Sequence, residues 1–184
     1  MDLVHIKVHI KRPTFTKLGN CFTVFFNDSL FILIGPHWPF MFCVVPIILA
    51  VLIGFVSVVA PQMEFSYQII GTCIILVTLL SYLVTAMKDP GVVLSEHESD
   101  LEEDTDGKTT LCNKCLIFRD RTIEHCDDCG LCMKNLDHHC IFTGKCIAEN
   151  NLFCFYTFLV SIFGFFGFSL FWVITSLPHA LKDK

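Results

Sequence analysis

Charged residues are scarce in this chain. Of its 184 residues, 17% are Asp, Glu, Lys or Arg, compared with about 25% in an ordinary soluble domain. Hydrophobic residues make up 53% of the chain, more than the roughly 45–50% of such domains. We therefore do not expect a wholly soluble protein. Basic residues are also few, since 13 Lys and Arg stand against 18 Asp and Glu. A nucleic-acid binder needs a basic surface that neutralises phosphates, so we expect no nucleic-acid partner.

Three long segments contain no charged residue: 40–60, 65–87 and 152–177. A bilayer core about 30 Å thick needs about 20 helical residues, so each segment is long enough to form a transmembrane helix. The link between the first two segments is short, which predicts a tight antiparallel hairpin. That link holds no Lys or Arg, whereas the residues on either side of the hairpin do. By the positive-inside rule, we expect both flanking segments to lie in the cytosol.

These patterns predict six segments. They are a cytosolic N-terminal segment (1–39), a transmembrane hairpin (40–87, with spans 40–60 and 65–87), a turn with an acidic linker (88–110), a cysteine-rich domain (111–151), a third transmembrane helix (152–177) and a short tail (178–184). The linker concentrates seven acidic residues between positions 96 and 106. It is interpreted as a solvated connection, with an acidic docking site as the alternative.

Residues 111–146 concentrate the candidate metal ligands of the chain. This segment is too short and polar to build its own core, and thiols in a reducing cytosol do not form lasting disulfides, so bound metal is the expected stabiliser. Two tetrahedral zinc ions would use eight of its ten Cys and His side chains. The ten are Cys112, Cys115, His125, Cys126, Cys129, Cys132, His138, His139, Cys140 and Cys146.

Spacing alone does not name the two residues that remain without metal. Cys112 with Cys115, and Cys126 with Cys129, have the two-residue gap that lets both sulfurs reach one ion, and His125 and Cys132 can complete such a set. Along an extended stretch, one histidine could hold zinc while its neighbour serves a free thiol, because successive side chains point to opposite faces. The alternative is that all ten are structural, or that the spare thiol is inert.

One stretch resembles the DHHC family of protein S-acyltransferases, the palmitoyltransferases: Asp137-His138-His139-Cys140. The likeness extends to the family's cysteine-rich domain, to the Asn and Phe that follow it, and to its Asp-Pro-Gly motif after the second span. The matching positions are Cys112-x2-Cys115-x9-His125-Cys126-x2-Cys129-x2-Cys132-x4-Asp137-His138-His139-Cys140-x5-Cys146, Asn151, Phe155, and Asp89-Pro90-Gly91. In layout the resemblance covers essentially the whole chain.

The resemblance implies two structural zinc ions with interleaved ligands. One set is Cys112, Cys115, His125 and Cys132, and the other is Cys126, Cys129, His139 and Cys146. It further implies a protein-cysteine S-acyltransferase that moves a fatty acyl group from acyl-coenzyme A, such as palmitoyl-coenzyme A, to cysteines of substrate proteins. The expected partners are the lipid bilayer, acyl-coenzyme A and substrate proteins at the cytosolic membrane face. The expected location is the endomembrane system, in the Golgi, endoplasmic reticulum or plasma membrane.

The residue chemistry predicts how such a transfer would proceed. Only the thiolate of a cysteine is nucleophilic, so an imidazole that accepts or balances its proton raises the reactive fraction. The predicted catalytic residues are therefore Cys140, which forms the acyl-enzyme, His138 as its base, and Asp137, which orients the imidazole. In addition, Phe165 lies about 21 Å along the third helix from Asn151, at about 1.5 Å per residue. It is predicted to lie near the floor of the acyl cavity.

The sequence departs from the family pattern at several positions. Ile141-Phe142 replace the usual Pro-Trp, and Lys145 replaces the usual Asn. Lys145 is interpreted as solvated, with contact to a coenzyme A phosphate as the alternative. No segment matches the family's fourth span or its Thr-Thr-x-Glu motif before Lys184.

The predicted fold is therefore an all-α integral membrane protein with three transmembrane helices, a small cytosolic zinc-binding cysteine-rich domain and no fourth span. The alternative function is a truncated, catalytically weak membrane adapter that binds partners through its zinc module. A membrane-anchored RING-like ubiquitin ligase also uses two interleaved zinc sites, but the adjacent His138, His139 and Cys140 fit it poorly.

Overall fold

The structure is a computed structural model that describes residues 15–26, 29–94 and 109–182. The acidic stretch at 96–106, with its two interpretations, and the first fourteen residues lie outside the described part of the chain.

Three helices form the apolar part of the protein. They are α1 (Pro39–Gly54), α2 (Phe65–Met87) and α3 (Leu152–Lys182). A π-helical turn (Phe55–Val59) and a 3-10 turn (Ala60–Gln62) extend α1 towards the hairpin link. By length and composition, three stretches of the described residues can cross a membrane: Pro39–Gln62, Phe65–Met87 and Leu152–Ser176. The prediction of three membrane-capable helices is confirmed.

The three helices pack around an aromatic core. Tyr82 of α2 is fully buried and meets Phe158 of α3, with ring centroids 5.2 Å apart. Phe55, just after α1, packs edge-on against Phe165 at 5.8 Å. Gly71 of α2 is required where Phe55 approaches, because an added Cβ would lie 2.3 Å from that ring. The helices therefore meet through rings and through close backbone approach.

The segment before α1 forms a three-stranded antiparallel sheet. Its strands are β1 (Phe15–Leu18), β2 (Cys21–Phe26) and β3 (Ser29–Ile34), in the order β1-β2-β3. Gly19 makes the turn between β1 and β2 with a φ of +54°, which glycine adopts without steric cost. The all-α fold class is wrong on this point, because β-branched and aromatic residues favour strands here.

The cysteine-rich segment consists of three short antiparallel hairpins. They pair β4 (Thr110–Cys112) with β5 (Ile117–Arg119), β6 (Ile123–Cys126) with β7 (Leu131–Lys134), and β8 (His138–Cys140) with β9 (Lys145–Ile147). Strands of three or four residues carry too few alternating positions to be recognised from sequence. The protein is therefore a mixed α and β structure, which corrects the predicted all-α class a second time.

The N-terminal sheet completes the core of the cysteine-rich segment. Cys21 and Leu33 are fully buried in one cluster that it shares with the hairpins, whose members are Cys126, Cys129, Leu131, Met133, Cys146 and Ala148. The amide of Asn20 donates to the carbonyl of Cys129 at 2.8 Å. The hairpins therefore use apolar side chains from the residues before the first helix, in agreement with the expectation that they cannot build a core alone.

Candidate functional site

Four side chains from two neighbouring hairpins converge in a first group: Cys112, Cys115, His125 and Cys132. Their candidate ligand atoms all lie within 4.8 Å of one another. Nδ1 of His125 lies 3.3 Å from the Sγ of Cys115 and 3.7 Å from the Sγ of both Cys112 and Cys132. Pairing of His125 with Cys132 across β6 and β7 brings the last two donors together.

A second group of four lies between the second and third hairpins: Cys126, Cys129, His139 and Cys146. Its ligand atoms also lie within 4.8 Å of one another. Nδ1 of His139 is 3.4, 3.5 and 3.6 Å from the three sulfurs. The Sγ atoms of Cys129 and Cys146 are 3.5 Å apart. Because Cys126 ends the strand that also carries His125, the two groups interleave.

The geometry of both groups fits zinc. In a tetrahedral site with Zn–S of about 2.3 Å and Zn–N of about 2.0 Å, ligand atoms lie roughly 3.5–3.8 Å apart. The N···S distances here run from 3.3 to 3.7 Å. Three thiols and one imidazole per group form a closed donor set, which is typical of structural zinc. The structure thus brings together the two sets of four that the family resemblance implies.

Cys140 lies outside both groups and opens onto a cavity. It ends β8, one residue after His139, and is 8% exposed. The cavity has a volume of about 430 Å³ and is almost entirely apolar apart from the His138 and His139 rings and Cys140 itself. Its other walls come from all three helices and the turn after β8: Val44, Tyr82, Ile141, Phe142, Thr143, Phe155, Phe158 and Leu159.

Asp137 holds His138, which is one of the residues that line this cavity. Nδ1 of His138 lies 2.7 Å from Oδ2 of Asp137, and both side chains are partly exposed. The ring of Phe155 meets the His138 ring edge-on, with centroids 5.2 Å apart. When His138 is neutral and its Nδ1–H donates to the carboxylate, Nε2 is the basic nitrogen that remains to accept a proton.

Tyr82 and Thr143, which the sequence did not single out, fix the turn after Cys140. Oη of Tyr82 donates to the carbonyl of Phe142 at 2.8 Å. Oγ1 of Thr143 donates to the carbonyl of Cys140 at 3.3 Å. Their positions on an apolar helix and in a short turn gave no sequence signal. Together these two hydrogen bonds hold the backbone of Cys140 and of the turn that follows it.

Asn151 joins the cysteine-rich segment to the helices. Its side chain is fully buried, and Nδ2 donates to the carbonyls of Cys146 at 3.1 Å and of Thr85 at 3.3 Å. Oδ1 accepts from the amide of Ala148 at 2.9 Å. One amide therefore connects the end of α2, the strand that carries Cys146 and the start of α3.

Lys145 is neither solvated nor free to meet a phosphate, so both interpretations of this residue are wrong. It is fully buried, and its Nζ donates to the carbonyls of Leu33, at 2.9 Å, and of Lys88. Burial lowers the pKa of Lys145 to about 7, although the nearby Asp89 carboxylate acts in the opposite direction. The side chain fastens β9 to the N-terminal sheet and to the end of α2.

A second cavity lies deeper in the helix bundle. It has a volume of about 190 Å³ and shares no lining residue with the first. The residues that each helix contributes to the second cavity lie about one turn further from the cysteine-rich segment than those it contributes to the first. On α2, for example, Thr78 lines the second cavity and Tyr82 lines the first. Phe165 and Phe166 form part of its wall, so Phe165 lies at an apolar cavity.

The part of the chain that contains the cysteine-rich segment is similar to a known protein family. Residues 105–184 match the family model described as DHHC palmitoyltransferase. This range contains both groups of four, the Asp137-His138-His139-Cys140 stretch and α3.

Curated relatives match over a longer part of the chain. Palmitoyltransferase ZDHHC18-B of Danio rerio is 29% identical over 120 residues, 50% of this chain and 31% of the relative. Palmitoyltransferase ZDHHC14 of Mus musculus is 27% identical over 153 residues, covering 68% and 31%. Probable protein S-acyltransferase 13 of Arabidopsis thaliana is 31% identical over 108 residues, covering 47% and 36%. The chain thus spans about a third of the length of these relatives.

Proposed function

We propose that this chain, whose residues 105–184 match the family model described as DHHC palmitoyltransferase, performs protein S-acyltransfer from acyl-coenzyme A through an acyl-enzyme on Cys140. The observation that carries the proposal is that Cys140 belongs to neither candidate zinc group and lines a cavity whose walls are apolar. A thiol without metal beside a lipid-sized apolar space has the two properties that acyl transfer requires.

The shape and apolar lining of the two cavities support a fatty acyl chain as the transferred group. The larger space begins at Cys140, and the smaller one continues in the same direction between the three helices. Phe158 and Leu159 line the first space and Ile162 lines the second, about one helical turn further along α3. A hydrocarbon chain bound to Sγ of Cys140 would therefore extend into the helix bundle, where its burial is favourable at about 0.8 kcal/mol per CH₂.

The chemical steps follow from the three polar side chains. Sγ of Cys140 attacks the thioester carbonyl carbon, its proton passes to Nε2 of His138, and the carbon–sulfur bond to coenzyme A breaks as that proton is returned to the leaving sulfur. In the second step the thiol of a substrate cysteine attacks the Cys140 thioester and Cys140 leaves as a thiol. Asp137 stabilises the imidazolium and holds its tautomer in both steps.

The two zinc ions would have a structural role. When bound, they would hold the three hairpins together, and the first and second groups supply all four donors each, so no position is left for water. The role of Cys126, Cys129, His139 and Cys146 would then be to fix β8, the strand that carries His138 and Cys140 on either side of His139.

The proposed orientation has the cysteine-rich segment on the cytosolic side. Basic residues flank the α1–α2 hairpin on both sides, and the four residues at 61–64 contain none. Cys140 would then lie at the cytosolic interface of an endomembrane, where acyl-coenzyme A keeps its head group in water. Substrate proteins would approach from the cytosol.

Loss of the proposed base is predicted to slow acylation strongly. His138→Ala should lower the rate of acyl-enzyme formation by about 100-fold or more, within the range of general base catalysis. Asp137→Asn should lower it less, because the base is retained and only its orientation and charge balance are impaired. Measurement of the coenzyme A released at successive times after mixing gives the rates of both variants. Equal rates for wild type and His138→Ala would contradict the assignment of the base.

Removal of the Phe165 ring is predicted to change chain-length preference. Phe165 lines the deeper cavity, so Phe165→Ala should shift the preferred acyl-coenzyme A towards longer chains. Phe163→Ala is the matched control, because Phe163 lies on the same helix with 71% of its surface exposed. Competition between acyl-coenzymes A of different chain lengths, read by mass spectrometry, measures the preference. An unchanged profile in Phe165→Ala would show that Phe165 does not limit the chain.

Incubation of the purified chain with a clickable palmitoyl-coenzyme A tests the proposed function. Formation of a label that hydroxylamine removes, together with release of coenzyme A, is the expected result, because hydroxylamine cleaves thioesters. Absence of label under conditions in which both zinc groups are filled would instead favour the adapter function.

A further inference from the structure

His37 contacts the histidine of the second group. Its Nδ1 lies 2.9 Å from Nε2 of His139, and the two rings meet edge-on with centroids 5.1 Å apart and an interplanar angle of 72°. Nδ1 of His139 faces the three sulfurs of its group, so the contact uses the other ring nitrogen. His37 comes from the connection between β3 and α1, more than one hundred residues earlier in the chain.

The chemistry of a metal-bound imidazole sets the direction of this hydrogen bond. A neutral histidine that binds metal through Nδ1 carries its proton on Nε2. Nε2–H of His139 therefore donates to Nδ1 of His37, which acts as the acceptor. An acceptor at this position fixes the tautomer and the ring orientation of a metal ligand and raises its basicity.

The backbone around His37 is held in place independently of this contact. The amide of His37 donates to the carbonyl of Gly144 at 3.2 Å. Gly144 has a φ of +78°, and a Cβ added there would lie 3.1 Å from the carbonyl group of His37. Gly35 approaches even closer, since an added Cβ would lie 2.1 Å from the carbonyl oxygen of Gly144. The β3–α1 connection is therefore fitted against the turn between β8 and β9.

From this arrangement we infer that His37 is a positioning residue for the second zinc group, so that the segment before the first membrane helix controls how firmly His139 is held. The inference rests on the proposed function in one respect, namely that the second group binds zinc. Because His139 lies between His138 and Cys140 on β8, its orientation also determines the position of the strand that carries the reactive thiol. This gives the β3–α1 connection a role in the site.

The first group offers an internal comparison. Nε2 of His125 lies 3.3 Å from Oδ1 of Asp127 but makes no hydrogen bond to it, and Lys114 contacts the same exposed carboxylate at 2.6 Å. The acidic neighbour of His125 is thus local and exposed, whereas the hydrogen-bond partner of His139 comes from a distant part of the chain and is partly buried. Substitution of His37 should therefore affect the second group alone.

Site-resolved alkylation of the whole 184-residue chain in detergent tests the inference. The zinc content of each variant is measured first, and the chain is then exposed to a zinc chelator and a maleimide for increasing times. Mass spectrometry of the peptides gives separate rates for the two sets of thiols, Cys112, Cys115 and Cys132 against Cys126, Cys129 and Cys146. The variants are His37→Phe, which keeps a ring without an acceptor, and His37→Asn, whose side-chain oxygen can take the place of Nδ1. Asp127→Asn is the control for the first group.

The expected result is selective loss of protection. In His37→Phe, thiols of the second group should be alkylated about 10- to 100-fold faster than in wild type, the usual effect of removing such an outer contact, with no change in the first group. His37→Asn should restore most of the protection, and Asp127→Asn should leave the second group unchanged. Equal rates in wild type and His37→Phe, equal acceleration in both groups, or no recovery in His37→Asn would each overturn the role of His37.

Failure of the zinc assignment can be recognised separately. A wild-type chain whose second group holds no zinc would overturn both the zinc site and this inference. A protected wild type with an unaffected His37→Phe variant would overturn only the inference.

Discussion

Replacement of Cys140 by serine is expected to abolish both acyl-enzyme formation and transfer to substrate cysteines. A serine hydroxyl is not appreciably ionised at neutral pH and lacks the strong nucleophilicity of a thiolate, so the rate should fall by at least about 1000-fold. The fold should remain intact, because Cys140 belongs to neither group of four candidate zinc ligands. Coenzyme A release and the hydroxylamine-sensitive label on the chain report acyl-enzyme formation, and label on a substrate protein reports transfer.

A matched cysteine variant separates this effect from a general loss of thiols. Cys154 lies near the start of α3 and is partly exposed, but it lines neither cavity. Cys154→Ser should therefore keep the label and the rate of wild type. A residual label on Cys140→Ser that resists hydroxylamine would indicate a serine ester, whereas a full hydroxylamine-sensitive label would show that another cysteine carries the acyl group.

Removal of zinc is expected to unfold the cysteine-rich segment while the helices persist. Each hairpin has strands of only three or four residues, which cannot maintain themselves in water. Zinc binding is worth about 10–16 kcal/mol in small zinc-dependent domains, so its loss exceeds the stability of such a segment. Trypsin is a suitable probe, because Lys114, Arg119, Arg121 and Lys134 lie within the hairpins and their turns.

The zinc experiment compares one ligand variant with one control. Cys129→Ser removes a fully buried donor of the second group, and Cys73→Ser changes an exposed cysteine of α2. Rapid tryptic cleavage should follow both chelation and Cys129→Ser, whereas Cys73→Ser should be cleaved as slowly as wild type. Unchanged cleavage after complete zinc removal would contradict a structural role for the metal.

The helices could be predicted from the sequence because their signal is physically simple. Uncharged apolar runs of more than about twenty residues are rare outside membrane-spanning helices. The helical stretches Pro39–Gln62 and Phe65–Met87 lie within two residues of the predicted spans. The side of the membrane on which the cysteine-rich segment lies remains a prediction from the distribution of Lys and Arg.

The strands were missed for two different reasons. The sequence predicts residues 1–39 only as a cytosolic N-terminal segment, because the packing partners of β1–β3 lie about a hundred residues away in the chain, although the β-branched and aromatic residues of these strands favour strand structure. Cys21, for example, is buried against Cys126 and Cys129. The short hairpins, by contrast, depend on converging ligands rather than on alternation, so periodicity could not indicate them.

The candidate metal ligands of the site could be predicted from the sequence, but the contacts around them could not. Residue counting indicated two sites of four donors each, and the family resemblance implied both sets of four that the structure brings together. They could not indicate that Lys145 would be buried beneath the N-terminal sheet, that Tyr82 would hold the turn after Cys140, or that His37 would reach His139. These contacts join distant segments, and no local pattern encodes them.

The most direct measurement is a map of the acylated residue. The wild-type chain is incubated with palmitoyl-coenzyme A, trapped before transfer, digested and examined by tandem mass spectrometry under conditions that preserve thioesters. We predict one palmitoyl group, on Cys140, while the thiols of both zinc groups remain unmodified. Palmitate on Cys126, Cys129 or Cys146 instead, or a Cys140 that stays unmodified while coenzyme A is released, would contradict the proposal that Cys140 is the reactive thiol.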